Sequence, residues 1–288
     1  MDEGASLEAA VARARAGDRA ALEAVVRAVQ KGVYNLALRF LWHPQDAEDA
    51  AQEIMIRILT GLGGFEGRSA FRSWVYRIAC NTLLTLGRQR MEQRNMSFQE
   101  FGEDLAEGLS GEEPDAGPEH QLLLEEVKIG CTLAMLLCLD RDQRLAYILG
   151  EILELDHNEA AAILEIAPAA FRKRLSRARG DIMSFVQSHC GLANPENACR
   201  CHRRVDAAVR RGRVDQSKLL FASSLEQAKR FPRVLVEIRR LEDTRRAAAL
   251  YRSHPRVEPP DAFASWLKAL LDDTPEPTSG GTARRKAG

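Results

Sequence analysis

The chain has 288 residues, of which 45% are hydrophobic, a size and composition that suit two or three globular domains. No stretch approaches the roughly 20 apolar residues that cross a bilayer, and the acidic start Met1-Asp-Glu-Gly lacks the pattern of a secretory signal. These features exclude a membrane-inserted protein and a disulfide-rich secreted one. We therefore expect a cytoplasmic protein whose six cysteines stay reduced.

Charge is segregated along the chain, although 41 Lys and Arg residues balance 41 Asp and Glu residues. Residues 72–94 hold five basic residues and one acid, while 172–179 hold no acid and 95–127 hold neither Lys nor Arg. Local patches decide which polyanion can dock, so a neutral total does not exclude nucleic acid. Ala, Leu, Arg and Glu dominate, which favours an all-α fold.

The first part of the chain predicts two successive helices. Apolar residues from Leu22 to Phe40 recur at spacings of three and four, as in a long helix packed on its neighbours. His43-Pro44 ends this helix, and Asp46 is expected to cap a second one that runs to about Thr60. The expected buried face of the second helix consists of Ala47, Ala51, Ile54 and Ile58.

The second helix also carries an acidic surface, because Asp46, Asp49 and Glu53 share one side and Gln52 lies beside them. Paired carboxylates can perform acid–base chemistry, but no histidine or nucleophile accompanies this group. An interaction face for a basic partner is the preferred interpretation. A solvated face stays open as the alternative.

A glycine-rich loop at 61–67 precedes a third helix, predicted from about Ser69 to about Arg94. In this helix aromatic residues interleave with basic and polar ones, namely Phe71, Trp74 and Tyr76 with Arg72, Arg77 and Asn81. Aromatic rings stack on unpaired bases and arginine binds the backbone in proteins that hold single strands. The alternative that Trp74 belongs to the core stays open.

Residues 96–120 are acidic and contain Gly and Pro, and they predict a flexible linker. A compact helical domain is expected at 121–188. Within it, Asp156 and Glu159 have the spacing of a capping box, which predicts a short helix that ends around Glu165.

Pro168 suits the first turn of a further helix, which divides into two faces. The apolar face consists of Phe171, Leu175, Ala178 and Ile182, within roughly 60° on the helical wheel. The opposite side consists of Arg172, Lys173 and Arg177, flanked by Arg174 and Arg179. Two such helices predict a helix-turn-helix whose second helix enters the major groove. An ordinary solvated basic face is the alternative.

Two motifs now stand in a definite order. The first is Asp46-Ala-Glu-Asp-x-x-Gln-Glu, then Phe65-x-Gly, then Phe71-Arg-x-Trp-x-Tyr-Arg-Ile-Ala-x-Asn81, and the second is the segment from Leu155 to Arg179. Together they resemble the second and fourth regions of bacterial RNA polymerase sigma factors, in particular those of the extracytoplasmic-function (ECF) group. The resemblance covers roughly residues 15–185.

The resemblance implies an all-α protein in which two helical sigma domains are joined by an acidic linker. Region 2 would occupy 1–95, the linker 96–120 and region 4 with its helix-turn-helix 121–188. Sigma factors of this group usually end soon after region 4. Residues 189–273 are therefore interpreted as a mostly helical, Cys-containing, regulatory C-terminal extension, and 274–288 as a disordered tail.

The resemblance also implies roles by position. Docking on the β′ clamp of the polymerase falls to Asp46, Asp49, Gln52 and Glu53. Recognition and melting of the −10 element falls to Phe65, Arg68, Ser69, Phe71, Arg72, Trp74, Arg77, Asn81 and Arg88. Recognition of the −35 element falls to Ala169, Arg172, Lys173, Arg174 and Arg177.

The implied partners are core RNA polymerase, through its β′ clamp and β flap, promoter DNA including the displaced single strand, and an anti-sigma factor. No catalytic residue and no cofactor is required for this activity. One departure from the family pattern stands at the turn of the helix-turn-helix, where Glu165 replaces a favoured Gly. If its backbone is left-handed, a residue other than Gly costs about 1 kcal/mol there.

The extension contains four soft ligands, Cys190, Cys199, Cys201 and His202, which are chemically suited to a structural zinc ion. A redox-sensing thiol cluster and ordinary buried cysteines are the alternatives.

For the whole chain, one rival interpretation is a helix-turn-helix regulator that acts without polymerase. A second is a zinc-dependent enzyme centred on the cysteines, for which the sequence offers no general base.

Overall fold

The computed structural model of the protein describes residues 3–90, 96–109 and 117–273. Within these ranges the fold is all-α, as predicted, and the strand-like pairing is limited to a bridge between Cys190 and Cys199. None of the described helices is long and apolar enough to cross a bilayer. The tail 274–288, predicted to be disordered, lies outside the described residues.

Four helices form an amino-terminal unit: α1 (Glu3–Arg15), α2 (Arg19–Leu41), α3 (Pro44–Gly61) and α4 (Phe71–Arg90). Asp18 starts α2 by accepting a hydrogen bond from the Ala21 N–H at 2.9 Å. The centre of this unit is α2, against which α1, α3 and α4 all pack. The predicted buried face of α3 is confirmed at Ala47, Ala51, Ile54 and Ile58.

The start of α3 differs from the prediction. His43 is the N-cap and Pro44 occupies the first helical turn, so Asp46 lies inside the helix and does not cap it. Proline is favoured there because its missing N–H would have no intrahelical acceptor. Immediately before, Trp42 adopts a positive φ of 66° and donates its indole N–H to the Gly130 carbonyl at 3.0 Å.

Five helices form a central unit: α5 (Phe98–Ala106), α6 (Pro118–Leu137), α7 (Arg141–Tyr147), α8 (His157–Ile163) and α9 (Pro168–His189). A π-helical turn, Ile148–Ile152, continues α7. The predicted start of α8 is confirmed, since the Asp156 carboxylate accepts from the N–H groups of Asn158 and Glu159 at 2.8 and 3.3 Å. Pro168 lies in the first turn of α9, as predicted.

The segment predicted to be a flexible linker contains a packed helix in its described part. Ser97 and Glu100 form a capping box that starts α5. The rings of Phe98 and Phe101 pack on Phe185 of α9, at centroid distances of 5.2 and 5.4 Å. The acidic composition of this segment led to the prediction of a flexible linker. The helix was missed because α5 is anchored by few apolar residues, although these are large.

The extension adds α10 (Cys201–Arg210), α11 (Leu225–Arg240), α12 (Asp243–Arg252) and α13 (Asp261–Asp273). The first three pack on α6, and α12 also packs on α9. The last helix, α13, packs instead on the amino-terminal unit. The extension therefore contacts both units of the chain.

Two carboxylates attach the extension to the central unit, one buried (Glu126) and one half-buried (Asp104). Glu126 of α6 accepts hydrogen bonds from three consecutive backbone N–H groups, those of Leu220, Phe221 and Ala222, each at 2.8 Å. Asp104 of α5 is surrounded by three guanidinium groups of the extension, those of Arg204, Arg211 and Arg213. Because charge-assisted hydrogen bonds to carboxylates are strong, these contacts fix α10 and its following loop on α5 and α6.

Buried His254, between α12 and α13, gives a testable dependence of stability on pH. Its Nε2 lies 2.9 Å from the Thr132 hydroxyl, and burial together with the charges of Lys128 and Arg39 holds its pKa well below the ordinary value. The unfolded chain takes up a proton near pH 6.5 while the folded chain does not, so stability is present above that pH and lost as pH falls below it.

We expect His254→Gln to reduce the loss of unfolding free energy between pH 7 and pH 5.5, by up to about 1.4 kcal/mol per pH unit below 6.5. Urea denaturation of both proteins across this range measures the effect. Other titrating groups cancel in the difference between the two curves. Parallel curves for wild type and variant would contradict the assignment.

Candidate functional site

The two faces of α9 are separated in the structure as the sequence predicted. Phe171, Leu175, Ala178 and Ile182 are fully buried. On the opposite face Ala169, Arg172, Lys173 and Arg177 are exposed. Two flanking arginines are held by carboxylates of α7 and its continuation, since Arg174 pairs with Asp142 at 3.1 Å and Arg179 donates to Glu151 at 2.6 Å. The helix is anchored along one side and offers guanidinium and ammonium groups along the other.

Glu165, in the turn between α8 and α9, has the left-handed backbone that is costly for a residue other than glycine. Its φ is +55°, in the region that favours glycine. The Ile166 N–H bonds to the Ala161 carbonyl at 3.0 Å, closing the end of α8. The strain foreseen at this position is therefore present, and the two helices of the helix-turn-helix keep their relative position despite it.

The aromatic residues around the start of α4 form a core cluster and not an exposed stacking surface. Phe65 packs on Phe71 and Trp74 at centroid distances of 5.3 and 5.4 Å, and Phe71 stacks on Trp74 at 5.4 Å. Phe65 and Phe71 are buried and Trp74 is half-buried. The prediction of direct DNA contacts is corrected for Phe65 and Phe71, whose rings instead hold the loop before α4 in place.

The polar residues predicted for the same surface have different environments. Arg68, Arg72 and Asn81 are exposed. Ser69 and Arg77 are half-buried, and the Arg77 Nε has no hydrogen-bond partner among the described residues. Arg88 lies in α4, and its side chain is outside the described part. The accessible part of this surface is thus cationic and polar.

The acidic surface predicted on α3 is present on one side of that helix. Asp46, Asp49, Gln52 and Glu53 are all half-exposed. Glu53 accepts from Arg57 Nε at 2.9 Å, one turn further along, and His43 lies 3.9 Å from Asp46. These side chains can meet a basic partner at little desolvation cost, because they are not buried in the isolated chain.

The surface of α4 and the helix-turn-helix contact each other directly. The Ser73 hydroxyl donates to the Glu159 carboxylate of α8 at 2.6 Å, and the Asn81 amide donates to the Glu165 carboxylate at 3.3 Å. Ser73 is buried by this contact region. Neither contact follows from the sequence, since the partners are more than eighty residues apart.

Three of the four residues predicted to bind zinc lie near one another, but the predicted set does not form a metal site. Within the described residues no group of three or more His, Cys, Asp or Glu side chains is arranged to hold a metal ion. Cys190, Cys199 and Cys201 share a small apolar cavity with Cys131 of α6, while His202 lies in a neighbouring cleft. Burial raises the pKa of the Cys199 thiol to about 11 and raises that of Cys201 further. Neutral buried thiols behave as small apolar side chains.

Comparisons with known proteins agree with the two helical units. The family model described as "Sigma-70 region 2" matches residues 25–92, and the one described as "Sigma-70, region 4" matches residues 129–182. The RNA polymerase sigma-H factor of Pseudomonas aeruginosa is 31% identical over 183 residues, which cover 62% of this chain and 92% of that protein.

The chain belongs to the ECF group of sigma-70-family RNA polymerase sigma factors. The ECF sigma-E factor of Escherichia coli is 32% identical to this sigma factor over 191 residues, covering 65% of this chain and 97% of that protein. The amino-terminal unit contains region 2, whose match begins within α2, and the helices α6–α9 contain region 4. Members of this family are transcription initiation factors and not enzymes.

Among solved structures, one similar chain is the sigma factor RpoE in complex with the anti-sigma factor NepR from Bartonella quintana. It has a TM-score of 0.40 and 21% identity, and the match covers 58% of this chain and 96% of that one. Both matched sigma regions end before α10, so the extension lies outside them.

Glu165 provides a test of the strained turn. We expect Glu165→Gly to raise the free energy of unfolding by up to about 1 kcal/mol, because glycine adopts positive φ without strain. Glu165→Asn should fall between glycine and wild type, and Glu165→Ala should give no gain. Urea denaturation of the four proteins measures the order. Equal stabilities for Gly and Ala would show that the turn stores no strain.

Proposed function

We propose that this sigma factor binds core RNA polymerase through the acidic face of α3 and directs initiation at promoters whose −35 and −10 elements it recognises. Region 4 would read the −35 element with α9. Region 2 would recognise the −10 element with the loop before α4 and with α4, and would hold the displaced strand. The energy of melting comes from binding the separated strands, so the proposal involves no catalytic residue.

The observation that carries the proposal is the division of α9. A recognition helix needs one face fixed in a core, so that its exposed side chains enter the major groove in a definite orientation. The buried apolar stripe supplies the fixed face, and Arg172, Lys173 and Arg177 supply donors for guanine edges and phosphates. Arg174 and Arg179, which pair with acids, would position the helix.

For the −10 element, the exposed groups of region 2 support backbone and base contacts. Arg68, which pairs with Glu66 at the surface, and Arg72 are exposed and could reach phosphates, and Asn81 presents an amide that can pair with a base edge. Trp74 is the one half-buried ring of the aromatic cluster, and it would contribute by fixing the loop geometry. An anti-sigma partner and contact between region 4 and the β flap stay predictions.

The rival function is that of a helix-turn-helix regulator acting without polymerase. It would use α9 equally well. It leaves the acidic face of α3 without a purpose, although four polar side chains stand half-exposed along one side of that helix. Competition with another sigma factor for core polymerase separates the two functions, because a plain regulator does not compete.

Polymerase docking can be tested with Asp49→Ala combined with Glu53→Ala. We expect loss of binding to core polymerase with an unchanged melting temperature, because both side chains are half-exposed. A matched control is Glu226→Ala with Glu237→Ala, which removes two exposed carboxylates of α11. Normal binding by the first variant in a pull-down would refute the assigned interface.

Recognition of the −35 element can be tested with Arg177→Ala. We expect weaker binding to promoter DNA by about 1–3 kcal/mol if the side chain reads a base, with relaxed specificity at one position. If it binds phosphate, affinity falls for all sequences and the salt dependence decreases by about one unit. Arg179→Ala is the matched control, because that arginine is already paired with Glu151. Unchanged affinity for Arg177→Ala would contradict the proposal.

A further inference from the structure

We propose that the structure is a closed, autoinhibited state in which the extension acts as a clasp holding region 2 against region 4. The clasp is the segment 247–273, which comprises the end of α12, the connection after it and α13. In this state the two promoter-reading surfaces cannot engage their elements together. The inference rests on the proposed function, since it concerns access to the same surfaces.

Promoter geometry requires the two regions to separate. The −35 and −10 elements are about 25 base pairs apart, which at about 3.4 Å per base pair is on the order of 80 Å along the duplex. In the structure α8, the first helix of the helix-turn-helix, packs directly on α4, which carries the proposed −10 contacts. Helices in contact cannot serve elements so far apart.

The contact also covers part of the proposed −10 surface. Glu165, at the turn before α9, accepts a hydrogen bond from Asn81, and Glu159 accepts one from Ser73. Two carboxylates of region 4 thus lie where region 2 would hold a nucleic-acid strand. A negative group at this position repels phosphate as well as blocking access. In the closed state, region 4 therefore covers part of the proposed −10 surface with carboxylates, which have the same negative charge as the nucleic-acid strand that would bind there.

One half of the clasp binds region 2. The Asn35 side chain makes a two-way hydrogen bond with the backbone of Val257, at 2.8 and 2.9 Å. Phe263 of α13 is fully buried, 6.2 Å from the Tyr34 ring of α2. Ion pairs Arg19–Asp272 at 2.5 Å and Lys31–Glu258 lie at the rim. The buried amide contact fixes the register of this segment, and Phe263 supplies its apolar anchor.

The other half of the clasp binds the central unit. Tyr251 of α12 is buried, with its ring 5.5 Å from that of Tyr147 in α7. Arg252 pairs with Glu154, just before the helix-turn-helix, and His254 meets Thr132 of α6. From Tyr251 to Phe263 is a stretch of only thirteen positions, yet its two ends are buried against different regions. Separation of the regions must therefore break one set of contacts.

The interface between region 2 and region 4 includes a buried polar contact, and such a contact can be exchanged for water when the regions separate. Arg144 of α7 is fully buried and donates to the Phe40 carbonyl of region 2 at 2.8 Å. Burial lowers its pKa to about 10, which reflects the cost of keeping this cation away from water. On separation, water replaces the carbonyl and solvates the charge. The interface between the regions thus includes a polar contact that water can replace when the regions separate.

The inference is tested first by locking the contact. Ser73→Cys with Glu159→Cys places two thiols at side chains that touch in the closed state. We expect full-length protein treated with a short, cleavable bis-maleimide to lose at least tenfold in run-off transcription with core polymerase, and to recover on cleavage. The controls for modification alone are the wild type, which has six native cysteines, and each single-substitution variant, all treated with the same reagent. Undiminished transcription by the linked protein would overturn the inference.

A second test loosens the clasp. We expect Phe263→Ala to raise run-off transcription several-fold and to lengthen the distance between spin labels at Thr60→Cys and Ser176→Cys, two exposed sites in regions 2 and 4. Lys268→Ala, on the exposed side of α13, should change neither quantity. Val257→Pro, which removes the N–H bonded to Asn35, should act like Phe263→Ala and guards against an effect of misfolding.

The outcomes separate the two proposals. If unlinked protein directs transcription and neither clasp variant changes output or distance, the inference is wrong and the proposed function stands. If neither wild-type protein nor the loosened variants Phe263→Ala and Val257→Pro direct transcription from any promoter with core polymerase, the proposed function is wrong and the inference falls with it. A lengthened distance in the clasp variants without a rise in output would show a clasp that is not inhibitory.

Discussion

The packing of region 2 on region 4 depends on the fully buried guanidinium group of Arg144. Arg144 donates to the carbonyl groups of Leu136 and Leu137 at the end of α6, to that of Leu139 just after it, and to that of Phe40 near the end of α2. Its guanidinium also lies 5.1 Å from the Phe40 ring. Both helix ends would otherwise leave carbonyl groups without partners in the core. One side chain therefore terminates two helices of different regions and fixes how region 2 sits on region 4.

The extension builds on this arrangement. Because α5 is attached to α10 through Asp104 and α6 holds the loop after α10 through Glu126, these parts move with region 4. The apolar cavity shared by four cysteines lies inside the same attachment, and burial raises the pKa of its thiols, which keeps them neutral. Among the described residues, α13 packs on region 2 and the residues before it bond to Asn35. Composition places the boundary between the regions at the acidic segment, but the described part of that segment, 96–109, is attached to the central unit and to the extension.

Sequence patterns predicted the features that are determined by residues close together in the chain. The cap at Asp156, Pro168 in the first turn of α9 and the buried stripe from Phe171 to Ile182 are all local, and all are confirmed. Contacts between distant residues left no such pattern. The role of Arg144 requires a carbonyl 104 positions away, and α13 requires Asn35, 222 positions from Val257. The aromatic residues Phe65 and Phe71 fit a core and a base-stacking surface equally well by composition, and only packing decided between them.

The tethering of the clasp has a consequence for control. An inhibitor on a separate chain binds according to its concentration, whereas α13 is joined to its target and meets it at an effective concentration set by the connecting residues. The closed fraction is then the same in a cell with few copies as in one with many. Changing the amount of this protein cannot release it. Only a competing ligand, a partner or a substitution that alters the contacts of Phe263 or Val257 can do so.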